Sequence, residues 1–376
     1  MKVLHVITGL DSGGAESALC RLTVGDDRNI HEVISLTSRG ANGERLSRAR
    51  IPVHALDMPR GCITLRGIMK LYRLLRLSRA DVVQTWMYHA DLIGGVLARV
   101  AGVKTVVWGI RGPFDTRRTA FQTKIAVRLC ALLSRWIPDG IICNSAYAAE
   151  AHMRLGYAPR KFTNIPNGYP LGEFQPDDAA RKQLLGELGL EEGTSLIGMV
   201  ARFDSHKDHE TLFAALRLVT RDFRRVSCLL VGMGMSRDSS ALEKLAKKYG
   251  IEDVIKLLGP RDDVPKIMAA LDLHILSSAA ESFPNVVAEA MACGTPCVTT
   301  DVGDAALIVG DAGWVVSPSE PAALADAILR AVYEMNDPIK AKTRREACRK
   351  RISDNYGLER MISSYTRVWV NLLAAR

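Results

Sequence analysis

Short aliphatic and β-branched runs alternate with amphipathic stretches along most of the chain. Val3–Ile7, Val33–Leu36, Val82–Gln84, Thr105–Val107 and Gly140–Cys143 are short, apolar and non-alternating, which predicts strands covered on both faces. Glu16–Val24, Leu65–Arg76, Leu92–Ala101 and Thr123–Leu133 lie between them with helical spacing. The pattern pauses in a polar stretch from Pro166-Asn-Gly-Tyr-Pro170 to Glu191-Glu-Gly193, where Asn167-Gly168 supplies a turn and Pro176-Asp-Asp a helix start. It then restarts with strands at Ser195–Val200, Val226–Val231, Val254–Leu257, Leu273–Leu276 and Pro296–Thr299. The matching helices are Glu210–Thr220, Ser239–Lys248, Val264–Ala270, Val286–Ala292 and Ala322–Glu334. Strands interleaved with helices twice over predict an α/β protein of two tandem, Rossmann-like, doubly wound domains facing a central cleft.

The expected boundaries are 1–170 for the first domain, 171–193 for a linker and 194–357 for the second domain. Met361, Ile362, Tyr365, Val368, Trp369 and Leu372 form one apolar stripe, so the segment 358–376 is expected to pack back on the first domain as a helix. A length of 376 residues agrees with two domains, because single cores stop growing near ~250–300 residues.

Charge separates the halves: residues 1–170 carry a net +12 and the remainder −3, as expected if they meet different partners. The eight cysteines follow no paired C-x-x-C spacing and fit reduced, buried thiols. The first apolar run breaks at Asp11 and no run of ~18 apolar residues follows. The expectation is a cytoplasmic protein without a spanning helix.

Three windows carry candidate chemistry. Glu281-Ser-Phe-Pro-Asn-Val-Val-Ala-Glu289 follows a strand and opens a helix. Glu281 then belongs to the loop and Glu289 to the helix, with the amides of Phe283, Asn285 and Val286 at an anion-attracting N-terminus. Arg202 and Lys207 follow the first strand of the second domain, where a guanidinium fork and a compact ammonium can grip neighbouring phosphates. His206 and His209 lack an evident third metal ligand, so no metal is expected there. Gly13-Gly14-Ala-Glu16 follows the first strand of the chain and suits a phosphate- or sugar-facing turn. His89, just after the strand at 82–84, is either a site residue or a packed, capping histidine.

These windows together resemble retaining glycosyltransferases of family 4, which have the GT-B fold, over nearly the whole chain. The likeness runs from the Gly13-Gly14 turn through Asn167-Gly168, Arg202…Lys207, Val231-Gly232 and Leu258-Gly-Pro-Arg-Asp-Asp-Val264 to Glu281…Glu289. It implies a nucleotide-sugar donor, UDP-linked, on the second domain and an acceptor on the first. Arg202 and Lys207 would hold the diphosphate with Gly13 and Gly14 close to it, Glu281 the transferred sugar, Glu289 the ribose, and the backbone near Arg261 the base. Pro284 stands where many relatives have glycine and has no N–H to donate. Arg111 stands near where many relatives have a sugar-facing histidine, and is the expected substitute for its charge.

No Asp-x-Asp pair is present, so the expected catalysis is metal-independent and needs no cofactor, with Arg202 and Lys207 meeting the charge of the leaving diphosphate. Arg60, Arg66, Lys70, Arg73, Arg76 and Arg79 lie between Asp57 and Asp81 with no acid among them. Arg117, Arg118, Lys124, Arg128 and Arg135 interleave with Phe121, Ile125, Leu129 and Leu132. These stretches are either solvated helix faces or a peripheral contact with an anionic membrane surface, which suits a lipid-linked saccharide acceptor. The rivals are a nucleotide-sugar epimerase on the same fold and a non-catalytic polyanion binder. Neither an RNA- nor a DNA-binding module is apparent.

Overall fold

The computed structural model describes every residue except Ser12, Pro113, 115–118 and Arg376. Arg117 and Arg118 of the second basic stretch therefore lie outside the described residues. The chain divides into two compact units, Met1–Gly168 with Leu358–Arg376, and Tyr169–Gly357.

In the first unit seven strands run parallel: β1 (Lys2–Ile7), β2 (Ile30–Ser35), β3 (Val53–Ala55), β4 (Val82–Trp86), β5 (Thr105–Ile110), β6 (Gly140–Cys143) and β7 (Phe162–Asn164). Their order is β3-β2-β1-β4-β5-β6-β7. The helices are α1 (Gly14–Gly25), α2 (Gly40–Arg48), α3 (Leu65–Ser78), α4 (Gly95–Val100), α5 (Phe121–Leu133) and α6 (Ala146–Arg154). Local chemistry sets their ends. Thr64 caps α3 by accepting from the Gly67 amide at 3.1 Å, and Ser145 caps α6 by accepting from Ala148 at 3.2 Å.

One face of this sheet packs Leu71 and Leu75 of α3, Ala98 of α4, Val127 and Cys130 of α5 and Ala148 of α6 against Val6, Val83, Val106 and Ile141. The other face takes Leu19 and Leu22 of α1 and the C-terminal helix (Leu358–Ala374) through Met361, Ile362, Tyr365 and Trp369. Alternate strand residues face the two layers, as the pleat requires.

The C-terminal helix closes over a buried polar chain. The Trp86 indole N–H donates to His5 Nδ1 at 3.1 Å. His5 Nε2 therefore carries its proton and donates to His31 Nδ1 at 3.0 Å, and His31 Nε2–H donates to Asp26 at 3.1 Å. Each nitrogen has one role, so both rings are neutral, and burial lowers both pKa values.

The second unit has six parallel strands: β8 (Ser195–Val200), β9 (Val226–Val231), β10 (Ile255–Gly259), β11 (Leu273–Leu276), β12 (Cys297–Thr300) and β13 (Trp314–Val316). Their order is β10-β9-β8-β11-β12-β13. The helices are α7 (Asp178–Leu188), α8 (His209–Asp222), α9 (Ser240–Tyr249), α10 (Val264–Ala270), α11 (Asn285–Ala292), α12 (Ala305–Val309), α13 (Pro321–Met335) and α14 (Pro338–Tyr356).

The stretch 171–193, expected as a linker, instead belongs to the body of this unit. Asp177 accepts from the amides of Ala179 and Ala180 to start α7, and Gly189 ends it at φ 63°. Phe174, Ala180, Leu184 and Leu185 are buried with Ile267 and Met268 of α10. The polar residues that suggested a tether are the solvated side of an amphipathic helix.

Candidate active site

In each sheet the strand order reverses once, between β1 and β4 and between β8 and β11. Loops leaving the carboxyl ends of such strands diverge and open a ligand crevice. Arg202…Lys207 leaves β8 and Ser277…Glu281 leaves β11, so the two windows of the second unit flank its reversal. Gly13-Gly14 follows β1 and His89 follows β4, at the reversal of the first.

The two loops of the second unit are stitched together. Ala279 donates its amide to the His206 carbonyl at 2.8 Å, and the Ser277 hydroxyl donates to the Lys207 carbonyl at 2.9 Å. Lys207 Nζ bonds Glu281 Oε1 at 2.5 Å, with side chains 20% and 14% exposed. Ser278 donates to the same carboxylate oxygen at 2.8 Å, while Thr300 donates to the Ser278 carbonyl at 2.6 Å. Gly303 lets the loop after β12 close on this corner: its φ is 56°, and a Cβ would meet the carbonyl oxygens of Glu281 and Ser282. Gly232, at φ 137°, similarly lets the turn after β9 lie against the Ala201 carbonyl.

Lys207 adds positive charge to its surroundings. The amide of His206 holds the Asp204 carboxyl below its ordinary range, with help from the charges of His206, Arg202 and Lys207. Burial, then Lys207, lowers His209 to about 4 and His274 to about 3, so both are neutral at pH 7. Arg202 is exposed and has no hydrogen-bond or ion-pair partner among the described residues. One fixed and one uncommitted cation thus share a loop.

α11 begins after Pro284 without a side-chain cap. The amides of Phe283 and Val286 have no acceptor among the described residues, so the positive end of this helix stays available to an anion. The Asn285 side chain accepts from the Tyr169 hydroxyl at 2.5 Å. Glu289 lies about one turn into α11 and is half-buried. The Arg261 side chain is committed to Asp263 at 2.8 Å and Glu187 at 2.5 Å.

In the first unit Gly13 is the extended residue before α1, and the Glu16 carboxylate folds over it. That helix end already has a negative charge beside it. Met87 adopts φ 73° at the end of β4 and hands the chain to a π-helical turn over Ala90–Gly94, which replaces the first part of the expected helix Leu92–Ala101. Backbone of this kind recurs at functional sites. His89 is half-buried, has no hydrogen-bond partner among the described residues, and is held below its ordinary pKa by burial.

Arg111, expected in place of a sugar-facing histidine, is engaged by side chains of the first unit. Its guanidinium lies 4.2 Å from the Trp86 ring centroid, donates to Asn167 Oδ1 at 2.8 Å and bonds the Tyr365 hydroxyl. Burial lowers its pKa. The side chain fastens the C-terminal helix to the sheet, a partner 254 positions away in the chain.

Sequence inspection also missed Asp91, which is wholly buried at the first reversal. Burial pushes its carboxyl up to about 8, against the Thr85 hydroxyl at 2.5 Å and the Gly109 amide at 3.2 Å. The folded state therefore keeps a proton that the unfolded chain releases near pH 3.8. Its stabilising effect is full below that pH and is lost as pH rises towards about 8. Asp91→Asn is expected to flatten this fall, removing a slope on the order of 1 kcal/mol per pH unit in urea-unfolding free energies. Parallel profiles for the two proteins would show that Asp91 is ionised in the fold.

Two parallel doubly wound units, with a cationic loop and an uncapped helix at the second reversal, define a GT-B glycosyltransferase. The profile of Glycosyltransferase Family 4 matches residues 12–173, and that of Glycosyl transferases group 1 matches residues 194–334. The chain belongs to this family. It is 24% identical over 319 residues to the Escherichia coli UDP-Gal:alpha-D-GlcNAc-diphosphoundecaprenol alpha-1,3-galactosyltransferase, covering 82% of this chain and 80% of that one. It is 31% identical over 256 residues to a D-inositol 3-phosphate glycosyltransferase of Salinispora arenicola, covering 63% of this chain and 56% of the relative. Among solved structures, Anabaena HepE in complex with UDP superposes with a TM-score of 0.86 over 99% of this chain and 100% of its own, at 23% identity.

Among the described residues no group of three His, Cys, Asp or Glu side chains is placed to hold a metal ion. No described helix is long and apolar enough to cross a membrane.

Proposed function

We propose that this glycosyltransferase takes its sugar from a UDP-sugar and delivers it, with retention of anomeric configuration, to a lipid-linked saccharide. Arg202, Lys207 and the first turn of α11 receive the diphosphate, Glu281 holds the transferred sugar and Glu289 the ribose, with the main chain at Arg261 beside the base. Gly13, Gly14 and His89 are ligand-facing positions of the first unit. The observation that carries this reading is the Lys207–Glu281 pair, pinned by Ser278 beside the uncommitted Arg202. A carboxylate suited to a sugar hydroxyl and a cation suited to a diphosphate are thereby fixed in one corner, on the same loop as a second, uncommitted cation.

Cleaving the sugar–phosphate bond moves negative charge onto the diphosphate. Fixed cations and helix amides stabilise that charge without reorganising at the moment of reaction. In this reading the two side chains supply the positive charge that a metal clamp supplies elsewhere, so transfer proceeds in the presence of a chelator. The E. coli relative's name specifies a UDP-sugar and a diphosphoundecaprenol acceptor, and the HepE structure holds UDP. Both support the choice of donor, and the former the choice of acceptor.

A thermal-shift panel of nucleotide sugars tests the donor. A UDP-sugar at ~100 times its Kd should stabilise the second unit by ~2.7 kcal/mol, and a shift confined to another nucleotide would overturn the assignment. Incubation with the donor alone separates transfer from epimerisation, because an epimerase converts the sugar without acceptor. The anomeric coupling of the transferred sugar in the NMR spectrum decides retention.

A further inference from the structure

The layer of the first unit that carries α3 to α6 leaves one large apolar surface uncovered. Phe121 is 76% exposed, Leu132 60% and Trp136 65%, with Ile125 and Leu129 also open to solvent. At about 100° per residue the four of these within α5 span only ~80° of its circumference, and Trp136 follows just beyond its end. Lys124 and Arg128 occupy the adjoining ~40°, with Arg135 beyond the helix end. Ala126, Val127, Cys130 and Ala131 take the side turned to the core. The helix thus presents three faces: one packed, one basic and one apolar but bare.

We infer that α5 seats the first unit on an anionic bilayer, its apolar edge entering the acyl boundary while Lys124, Arg128 and Arg135 meet lipid phosphates. This rests on the proposed lipid-linked acceptor and names the element that brings the protein to it. Charge decides the occupant. No acid occurs between Asp115 and Asp139, so a second copy packed on the stripe would bring like charge against like. An anionic lipid surface satisfies both faces at once. α3 lies on the same layer with Arg66, Arg73 and Arg76 exposed among Leu65, Met69 and Leu77. It adds positive charge but has no separate apolar edge.

Trp136 reports on the insertion. Trp86, Trp108 and Trp369 are fully buried and Trp314 is half-buried under Arg344 in the second unit, so the part of an emission shift on adding vesicles that Trp136→Phe removes comes from the exposed indole. The full chain, without nucleotide sugar, is mixed with phosphatidylcholine vesicles with or without roughly one third phosphatidylglycerol. We expect flotation with the anionic vesicles, a blue shift, and quenching by brominated acyl chains that persists in salt. Trp136→Phe should abolish the shift while the protein still floats. F121S/L132S/W136S should lower partitioning by about ten-fold or more and leave transfer to a soluble saccharide unchanged. Binding that salt removes entirely, an unshifted emission, or lipid-free dimers of a protein that ignores vesicles would each overturn the inference. Flotation as expected with no nucleotide-sugar binding would instead count against the proposed donor alone.

Discussion

Alanine in place of Lys207 is expected to lower kcat by about 10²- to 10³-fold, the usual cost of removing one fixed donor from a developing anion. Two effects combine. The leaving diphosphate loses an ammonium held in place by Glu281, and Glu281 loses the partner that keeps its oxygen oriented. Ser278 still donates to that carboxylate, so the loop should remain folded and the melting temperature close to that of the parent. Arg202→Ala removes a cation that no protein group holds, so its loss should fall more evenly on KM and kcat. The double variant should be slower than either single one. Single-turnover rates at saturating donor decide the matter, and unchanged turnover in the double variant would end the assignment of these two residues.

Trp369→Ala is expected to cost about 3–5 kcal/mol, as for large aromatic truncations in a core. The indole is fully buried, donates to Gln84 Oε1 at 3.2 Å, and lies 6.1 Å from both the His5 and His31 rings. Truncation opens a void against the sheet and leaves the Gln84 oxygen unpaired. For a unit of this size the loss corresponds to a fall of roughly 10 °C in melting temperature. Calorimetry should show it in the transition of the first unit, with that of the second unmoved. Trp369→Phe keeps the ring and should recover most of the loss. A melting curve for Trp369→Ala that overlays the parent would mean that this helix is not part of the first core.

The strands with long apolar runs were legible in the sequence, several to the residue. Ser195–Val200, Val226–Val231 and Leu273–Leu276 are buried on both faces and owe nothing to alternation. The strands that escaped notice are edges or near-edges of three residues: Val53–Ala55, Phe162–Asn164 and Trp314–Val316. A run that short has too few positions for a period to show. Polar surfaces hid α2, α14 and all of α7 but its start at Pro176-Asp-Asp, because their exposed sides outweigh their narrow buried ones.

The site was partly legible for a different reason. Arg202, Lys207 and Glu281 carry charge and stand beside strand ends, which a sequence displays. Ser277, Ser278 and Gly303 act through a carbonyl contact, a carboxylate contact and a backbone angle, and their residue types announce nothing. The double serine closing β11 was the available signal. The tie of Arg111 to Tyr365 was hidden because that partner lies 254 positions further along the chain.

The far end of the chain has a consequence for biogenesis. The first unit is discontinuous, and one layer of it is completed by residues translated only after all of Tyr169–Gly357. On the ribosome the second unit can finish while the first still waits with bare apolar side chains on one side of its sheet. A chain released short of the last helix would have one finished unit and one adhesive one, and would be exposed to aggregation until degraded.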